Sequence, residues 1–213
     1  MYKKILCLLL SLVISGGGVA QDYSAYSVLA RSVTSTVKDN ETVIEFFSFY
    51  CPPCYAFSKS YGIDKAVREI LPPGKKMMKY HAGFLGPLGD ELTRAWSVAM
   101  LMGIEEKVEP LLFDAVQNTK MLKTTDDIRD IFIRAGMTAV EYDMMLVSQE
   151  VSDMTERQKR LFDEFGVSGT PSVFVNGKYH IDNSAIEATS VEMFRERYVS
   201  IVKMLLNKDN APK

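Results

Sequence analysis

Apolar and polar positions change their spacing several times along the chain, and each change predicts an element. Ile5 to Ile14 is a short apolar run behind Lys3 and Lys4. Thr42 to Tyr50, reading Thr-Val-Ile-Glu-Phe-Phe-Ser-Phe-Tyr, is dense in β-branched and aromatic residues and predicts a largely buried strand. Pro52 and Pro53 suit the first turn of a helix, where a missing N–H is no loss. That helix is expected to run through Tyr55 and Phe57 to the neighbourhood of Ile70, bending near Gly62, before Pro72-Pro73-Gly74 ends it. Lys75 to Ala82 then reads as a second strand.

The spacing turns helical from Phe84 onward. Leu92, Trp96, Ala99, Met100 and Gly103 recur at helical intervals. Thr125-Asp-Asp-Ile-Arg-Asp-Ile-Phe132 opens on a capping-type cluster and puts Ile128, Ile131, Phe132 and Ala135 on one face, with Gly136 as the stop. Two more helices are expected over Thr138 to Val147 and Glu150 to Phe165. Met100, Met102, Met144 and Met145 are read as adaptable core filler rather than as copper or haem ligands. Ser172 to Val175 is a short apolar strand, Asn176-Gly177 a hairpin turn, and Lys178 to Ile181 the returning strand. A last helix carries Phe194, Tyr198, Ile201 and Leu205 as one stripe. Strand, helix and strand, a helical block, then hairpin and helix describe one α/β domain interrupted by a helical insertion.

The N-terminus is set apart by its composition. Two lysines, the apolar run and the small residues Gly18-Val19-Ala20 have the anatomy of a secretory signal peptide, and the run is too short to span a bilayer comfortably. A buried N-terminal helix would carry the polar face that this run lacks. A lipid anchor at Cys7 is disfavoured by the apolar residues that continue past it. The mature chain is expected to begin at Gln21. The full sequence holds 25 basic and 27 acidic residues, and loss of Lys3 and Lys4 makes the mature chain slightly more acidic. With no basic run beyond Lys75-Lys76, nucleic acid is not an expected partner. No second apolar stretch reaches spanning length.

Cysteine usage sharpens the picture. Of the three cysteines, Cys7 leaves with the leader, so Cys51 and Cys54 remain. An exported protein sits where disulfides persist, yet a ring closed over so few residues constrains the unfolded chain little. A reactive pair explains it better than a structural staple. A zinc site needs four ligands, and only His81 and His180 are obvious additions. Two prolines between the cysteines also suit a metal knuckle poorly, and each histidine reads more simply as a strand or surface residue.

A Cys-x-x-Cys at the end of a buried strand and the start of a helix has a physical logic. Thiolate is the attacking and leaving species in disulfide exchange. A helix N-terminus offers unpaired N–H groups and a positive dipole end, both of which favour an anion. Cys51, at the cap, gains most from them, while Cys54 sits one turn in. Cys51 is therefore the expected exchanging sulfur, accessible to substrate, and Cys54 the resolving one. Pro171, in Val167-Ser-Gly-Thr-Pro-Ser-Val-Phe-Val175, opens an apolar strand, and either a trans or a cis Thr170–Pro171 bond fits that position. Glu45, read by itself, is as readily an exposed strand residue as a buried one.

Glu45-Phe-Phe-Ser-Phe-Tyr-Cys51, Lys79-Tyr-His81, Asp127-Ile-Arg-Asp130 and Phe174-Val-Asn-Gly-Lys-Tyr179 resemble, in order and spacing, the DsbA family of periplasmic dithiol oxidases. The resemblance spans essentially the whole mature length. It implies an α/β thioredoxin fold in two parts, residues 21–83 and 159–213, around a helical insertion at 84–158. It also implies a cis Pro171 facing Cys51 and Cys54, substrate main chain pairing beside Thr170, and Glu45 and Lys79 beneath the pair as proton relay or charge tuner. Reduced, unfolded exported proteins become the substrates and a quinone-linked membrane protein of the DsbB type the reoxidant, so no bound cofactor and no metal is implied. A periplasmic monomer follows.

Two departures qualify the resemblance. The family's usual dipeptide between the cysteines is Pro-His, where this chain has Pro52-Pro53, and an acidic residue usual shortly after the second cysteine is Ser58 here. Both suggest an accessory paralogue with its own substrate range. The enzymatic rival is a reductase or isomerase using the same pair in its reduced state, although too few residues precede the first strand for the separate dimerisation module of such isomerases. A chaperone or peptide-binding module with incidental cysteines is the rival of another class.

Overall fold

The computed structural model describes residues 25–208, so the leader expected over residues 1–20 lies outside the described residues. Five strands form one sheet: β1 Tyr26–Val28, β2 Glu41–Phe47, β3 Lys76–His81, β4 Ser172–Val175 and β5 Tyr179–Ile181. Their order is β1-β5-β4-β2-β3, with β2 and β3 parallel and the other neighbours antiparallel. β2 is an interior strand between β4 and β3 and nearly all its side chains are buried, which is why its sequence reads as a continuous apolar run rather than an alternation. It ends three residues before the expected Tyr50. Ser48 takes over the backbone there, its carbonyl accepting from Cys51 N–H at 3.0 Å and its hydroxyl from Tyr50 N–H at 3.3 Å. β1, which the sequence pattern did not indicate, is a three-residue edge that among the described residues pairs with β5 alone.

The expected long helix after the cysteines is three pieces. α1 covers Pro52–Tyr55, a π turn covers Ala56–Ser60, and α2 covers Ile63–Glu69. Gly62, with φ of 63°, sits in the left-handed region and breaks the path outright rather than bending it. Between β3 and β4 run α3 Gly89–Met102, α4 Glu105–Phe113, α5 Thr125–Arg134, α6 Ala139–Leu146 and α7 Gln149–Glu164, with a second π turn at Asp114–Asn118. α5 and α6 start with reciprocal capping boxes, Thr124 with Asp127 and Thr138 with Glu141. α8, Val191–Lys208, packs Tyr198, Ile201, Val202 and Leu205 against the sheet face that also buries Val43, Ile63 and Val67. Asn176 and Gly177 both have positive φ, 53° and 60°, as a tight hairpin of this kind requires.

The insertion has its own apolar core, built on Leu92, Trp96, Leu112, Phe113, Ile128 and Phe132, and this core extends into Phe47, Phe49 and both cysteines. The cysteine pair thus belongs to the same apolar core as the helices between β3 and β4. The methionines divide in a way the sequence reading missed. Met100 and Met145 pack against the core, while Met102 and Met144 are 41% and 65% exposed, so core filling does not account for them. Among the described residues no helix is long and apolar enough to cross a membrane.

Candidate active site

Cys51 is the N-cap of α1, with extended backbone at φ −92° and ψ 107°. Its sulfur accepts the Cys54 N–H at 3.1 Å, the bond that a capping serine or aspartate oxygen ordinarily takes. Pro52 and Pro53 carry no N–H, so the Cys54 amide is the first-turn donor that reaches the sulfur. The two residues are joined as a disulfide with Cα atoms 5.2 Å apart. Cys54 is fully buried and Cys51 only 3% exposed, a more closed exchanging sulfur than the accessible one expected. The loop before β4 accounts for the difference.

That loop holds the cis Thr170–Pro171 bond. The Thr170 carbonyl oxygen lies 3.3 Å from Cys51 Sγ. The loop is pinned on both sides, because Ser172 Oγ donates to the Gly169 carbonyl at 2.7 Å and Asn183 Nδ2 to the Pro171 carbonyl at 2.9 Å. The pinned loop therefore presents the Thr170 carbonyl to the Cys51 sulfur.

At the far end of the same helical stretch lies a buried charge cluster. Lys79 Nζ hydrogen-bonds Asp64 Oδ2 and, at 2.9 Å, Glu109 Oε1, and stands 3.3 Å from Glu45 Oε2. Glu45, for which the sequence left exposure and burial equally open, is fully buried. Burial first, then the charges of Asp64 and Glu109, push its carboxyl well above the ordinary range against the pull of Lys79. Burial opposes ionisation of Asp64 too, but Lys79 outweighs it and holds that carboxyl below its usual value. Lys79 is itself held charged by its three acidic neighbours in spite of burial. Ser58 donates its hydroxyl to Glu109 Oε1 at 2.6 Å, so α4 places a carboxylate beside that position.

β3 and the helical block together hold the chain just ahead of Cys51. His81 Nε2 accepts the Phe49 N–H at 3.2 Å, and its Nδ1 faces Thr93 Oγ1 at 2.8 Å, which in turn donates to the Gly89 carbonyl. Those partners fix the neutral ring with its proton on Nδ1, and burial pushes the imidazole down to about 3. From the second π turn, Gln117 Nε2 donates to the Phe49 carbonyl at 2.6 Å. The Phe49 ring packs against Phe113 at 4.9 Å and stacks on His81 at 5.1 Å. Both π turns therefore aim a polar side chain at the site, Ser58 at Glu109 and Gln117 at Phe49, as such turns often do.

The structure brings Cys51, Cys54, Thr170 and Pro171 into one group, and gathers Glu45 and Lys79 with Asp64 and Glu109. His81, Asp64, Glu109 and Gln117 were not legible as site residues, since nothing in their local sequence marks a polar contact made across the fold. Among the described residues no group of His, Cys, Asp and Glu is arranged to hold a metal ion.

A disulfide at a helix N-terminus, closed over by a cis-proline loop on a thioredoxin sheet, defines a thiol–disulfide oxidoreductase. Residues 42–199 match the model of the DSBA-like thioredoxin domain. The chain belongs to that family. It is 43% identical to the thiol:disulfide interchange protein DsbA of Yersinia pestis over 88% of each chain, and 40% identical to that of Pectobacterium carotovorum over 97% of this chain and 99% of the other. Among solved structures it is similar to Salmonella enterica serovar Typhimurium SrgA, with 49% identity, a TM-score of 0.80 and coverage of 85% of this chain and 98% of that one. It is similar also to Proteus mirabilis DsbA with a non-covalently bound peptide, with 40% identity, a TM-score of 0.80 and coverage of 85% and 95%.

Proposed function

We propose that the protein is an exported dithiol oxidase that introduces disulfide bonds into reduced, unfolded proteins of the periplasm. The observation that carries this reading is the Cys51 sulfur in the N-cap position, held by the Cys54 amide at 3.1 Å while Cys54 lies buried behind it. A substrate thiolate attacks Cys51 Sγ, and the electron pair of the broken bond goes to Cys54. A second substrate thiolate attacks the substrate sulfur bound to Cys51, the substrate disulfide forms, and Cys51 leaves as a thiolate favoured by the helix terminus. The substrate loses two electrons and the pair gains them.

Thr170 and Pro171 form the substrate wall, a role supported by the Thr170 carbonyl beside Cys51 and by the peptide bound to the Proteus mirabilis neighbour. Glu45 and Lys79 serve as relay and charge tuner for the proton that Cys54 takes up. Their burial, and the four-residue spacing of Cys54 and Ser58 on one helical stretch, support that role. Reoxidation falls to a quinone-linked membrane oxidase of the DsbB type. The leader over residues 1–20 supplies export, the protein is a monomer, and Pro52-Pro53 together with Ser58 suggests an accessory oxidase.

Oxidation of a reduced model protein by the disulfide form tests the reading, with insulin reduction run beside it. Fast oxidation that is abolished by Cys51→Ser supports an oxidase. Efficient insulin reduction with sluggish oxidation would assign a reductase, and activity that survives Cys51→Ser would make the pair incidental.

A further inference from the structure

Four ionisable side chains from four elements meet in the interior: Glu45 on β2, Asp64 on α2, Lys79 on β3 and Glu109 on α4. Three carboxylates around one ammonium cannot all stay charged cheaply away from water. Lys79 directs hydrogen bonds to Asp64 and Glu109. Glu109 receives a second from Ser58 at 2.6 Å. Glu45 stands within ion-pair distance of Lys79, yet neither of its buried oxygens has a hydrogen-bond partner among the described residues. Tyr198 on α8, its buried hydroxyl also without a hydrogen-bond partner there, feels the charges of Glu45 and Asp64. The Phe47 ring closes over Lys79, 4.8 Å from Nζ.

Access to water separates the three acids. A cleft of about 480 Å³ is lined by Ser58, Asp64, Arg68, Glu106 and Glu109 among others, and Glu45 is not part of its wall. Arg68 adds a positive charge near Asp64. Asp64 and Glu109 thus each accept a hydrogen bond from Lys79 and line the cleft, although Asp64 Oδ1 is itself buried without a partner among the described residues, while Glu45 accepts none and lies outside the cleft wall.

We propose that Glu109 and Asp64 are positioning residues for the thiol chemistry: by taking two of the three donors of Lys79 they leave Glu45 as the carboxyl that carries the proton, and through Ser58 and the cleft they connect it to water. The opposite displacements of Glu45 and Asp64 agree with this sorting. When exchange releases Cys54 as a thiolate, Glu45 gives up one proton and becomes a carboxylate, and water in the cleft restores that proton past Asp64. The helical insertion, through Glu109, then sets the proton inventory of the thioredoxin part. The thiol step rests on the oxidase reading above, but the sorting of charge belongs to the fold and is read without turnover.

The test is a carboxyl-carbon NMR titration of the full protein labelled at its glutamate and aspartate side chains, in the wild type, Glu109→Gln and Asp64→Asn. Glu45 is expected to be protonated at neutral pH in the wild type, and to titrate at lower pH in both variants. The pH profile of single-turnover thiol exchange is expected to move in the same direction. Ser58→Ala, which keeps all four charged groups, should give a smaller shift of the same sign and remains informative where a charge variant fails to fold. A Glu45 already ionised at neutral pH in the wild type, or one that titrates alike in wild type and variants, overturns the proposal. Glu45 shifts as expected in a protein that oxidises no substrate would uphold the sorting of charge and refute the proposed function alone.

Discussion

Cys51 and Ser58 mark the two ends of one short helical stretch, and the physics at the two ends has little in common. At Cys51 the backbone supplies the chemistry, with the Cys54 amide on one side of the sulfur and the Thr170 carbonyl on the other. At Ser58 side chains supply it, through the carboxylate–ammonium cluster of Glu109, Lys79, Asp64 and Glu45. In the proposed mechanism the first end chooses which sulfur exchanges, and the second governs protons and buried charge. The family's usual sequence departs at both ends, at Pro53 and at Ser58, and at the second α4 places a carboxylate beside the serine.

Four changes test this contrast, beginning with the most drastic. Cys54→Ala removes the resolving sulfur, so oxidation of reduced substrate should vanish, and when the Cys51 thiolate attacks disulfides of oxidised substrates the resulting mixed disulfides should accumulate unresolved. Non-reducing electrophoresis with mass spectrometry would detect them, and sustained turnover without adducts would move the exchanging sulfur elsewhere. Lys79→Met strips the cluster of its cation and strands buried carboxylates, a change that generally costs about 3–5 kcal/mol. Denaturant midpoints should show that loss at neutral pH and a partial recovery on acidification, as the stranded acids take up protons.

Glu45→Gln works in the opposite direction. The folded protein holds a proton on Glu45 that the unfolded chain releases above the ordinary glutamate range, so this residue lowers stability as pH rises from there. The variant should therefore be more stable than the wild type at neutral pH, by on the order of 1.4 kcal/mol per unit of displaced pKa, and no more stable once pH falls below that range. Thermal unfolding across pH checks the sign. Pro53→His, at the sulfur end, has the smallest expected effect. It restores one N–H and a possible imidazolium near Cys51, which should favour the thiolate and raise the reduction potential by about 30 mV for each tenfold change in equilibrium. Glutathione equilibration measures it, and an unchanged or lower potential would exclude the dipeptide as the tuner.

The contrast also marks what could be read from the chain. The sulfur end is written in contiguous residues: an apolar strand, Cys51-Pro-Pro-Cys54 and a proline before β4, each with local signals of strand, cap or turn. The α5 and α6 starts and the Asn176-Gly177 hairpin were legible for the same reason. The charge cluster is assembled from positions 45, 64, 79 and 109, whose neighbours in sequence say nothing of one another. Asp64 looks like an ordinary acidic residue in the first turn of a helix, and Glu109 like one of several glutamates on α4. His81 was legible as a strand residue but not as the acceptor for Phe49. Gly62 was legible as a bend but not as a full break, and the two π turns were missed because helical spacing continues across them.

His81 extends the contrast to acid conditions. Its ring stays neutral in the fold down to about 3, whereas the unfolded chain protonates it near the ordinary value of 6.5, so stability is lost as pH falls through that window. Calorimetry between those limits should show the slope, and His81→Asn should flatten it.

The central claim, that the helix terminus makes Cys51 rather than Cys54 the exchanging sulfur, is met most directly by alkylation of the reduced protein with peptide mass spectrometry as a function of pH. Cys51 should be modified rapidly below pH 7, with its midpoint under the free-thiol value of about 8.5, while Cys54 stays largely unmodified. Equal rates at the two sulfurs, or a Cys51 midpoint at the free-thiol value, would contradict it.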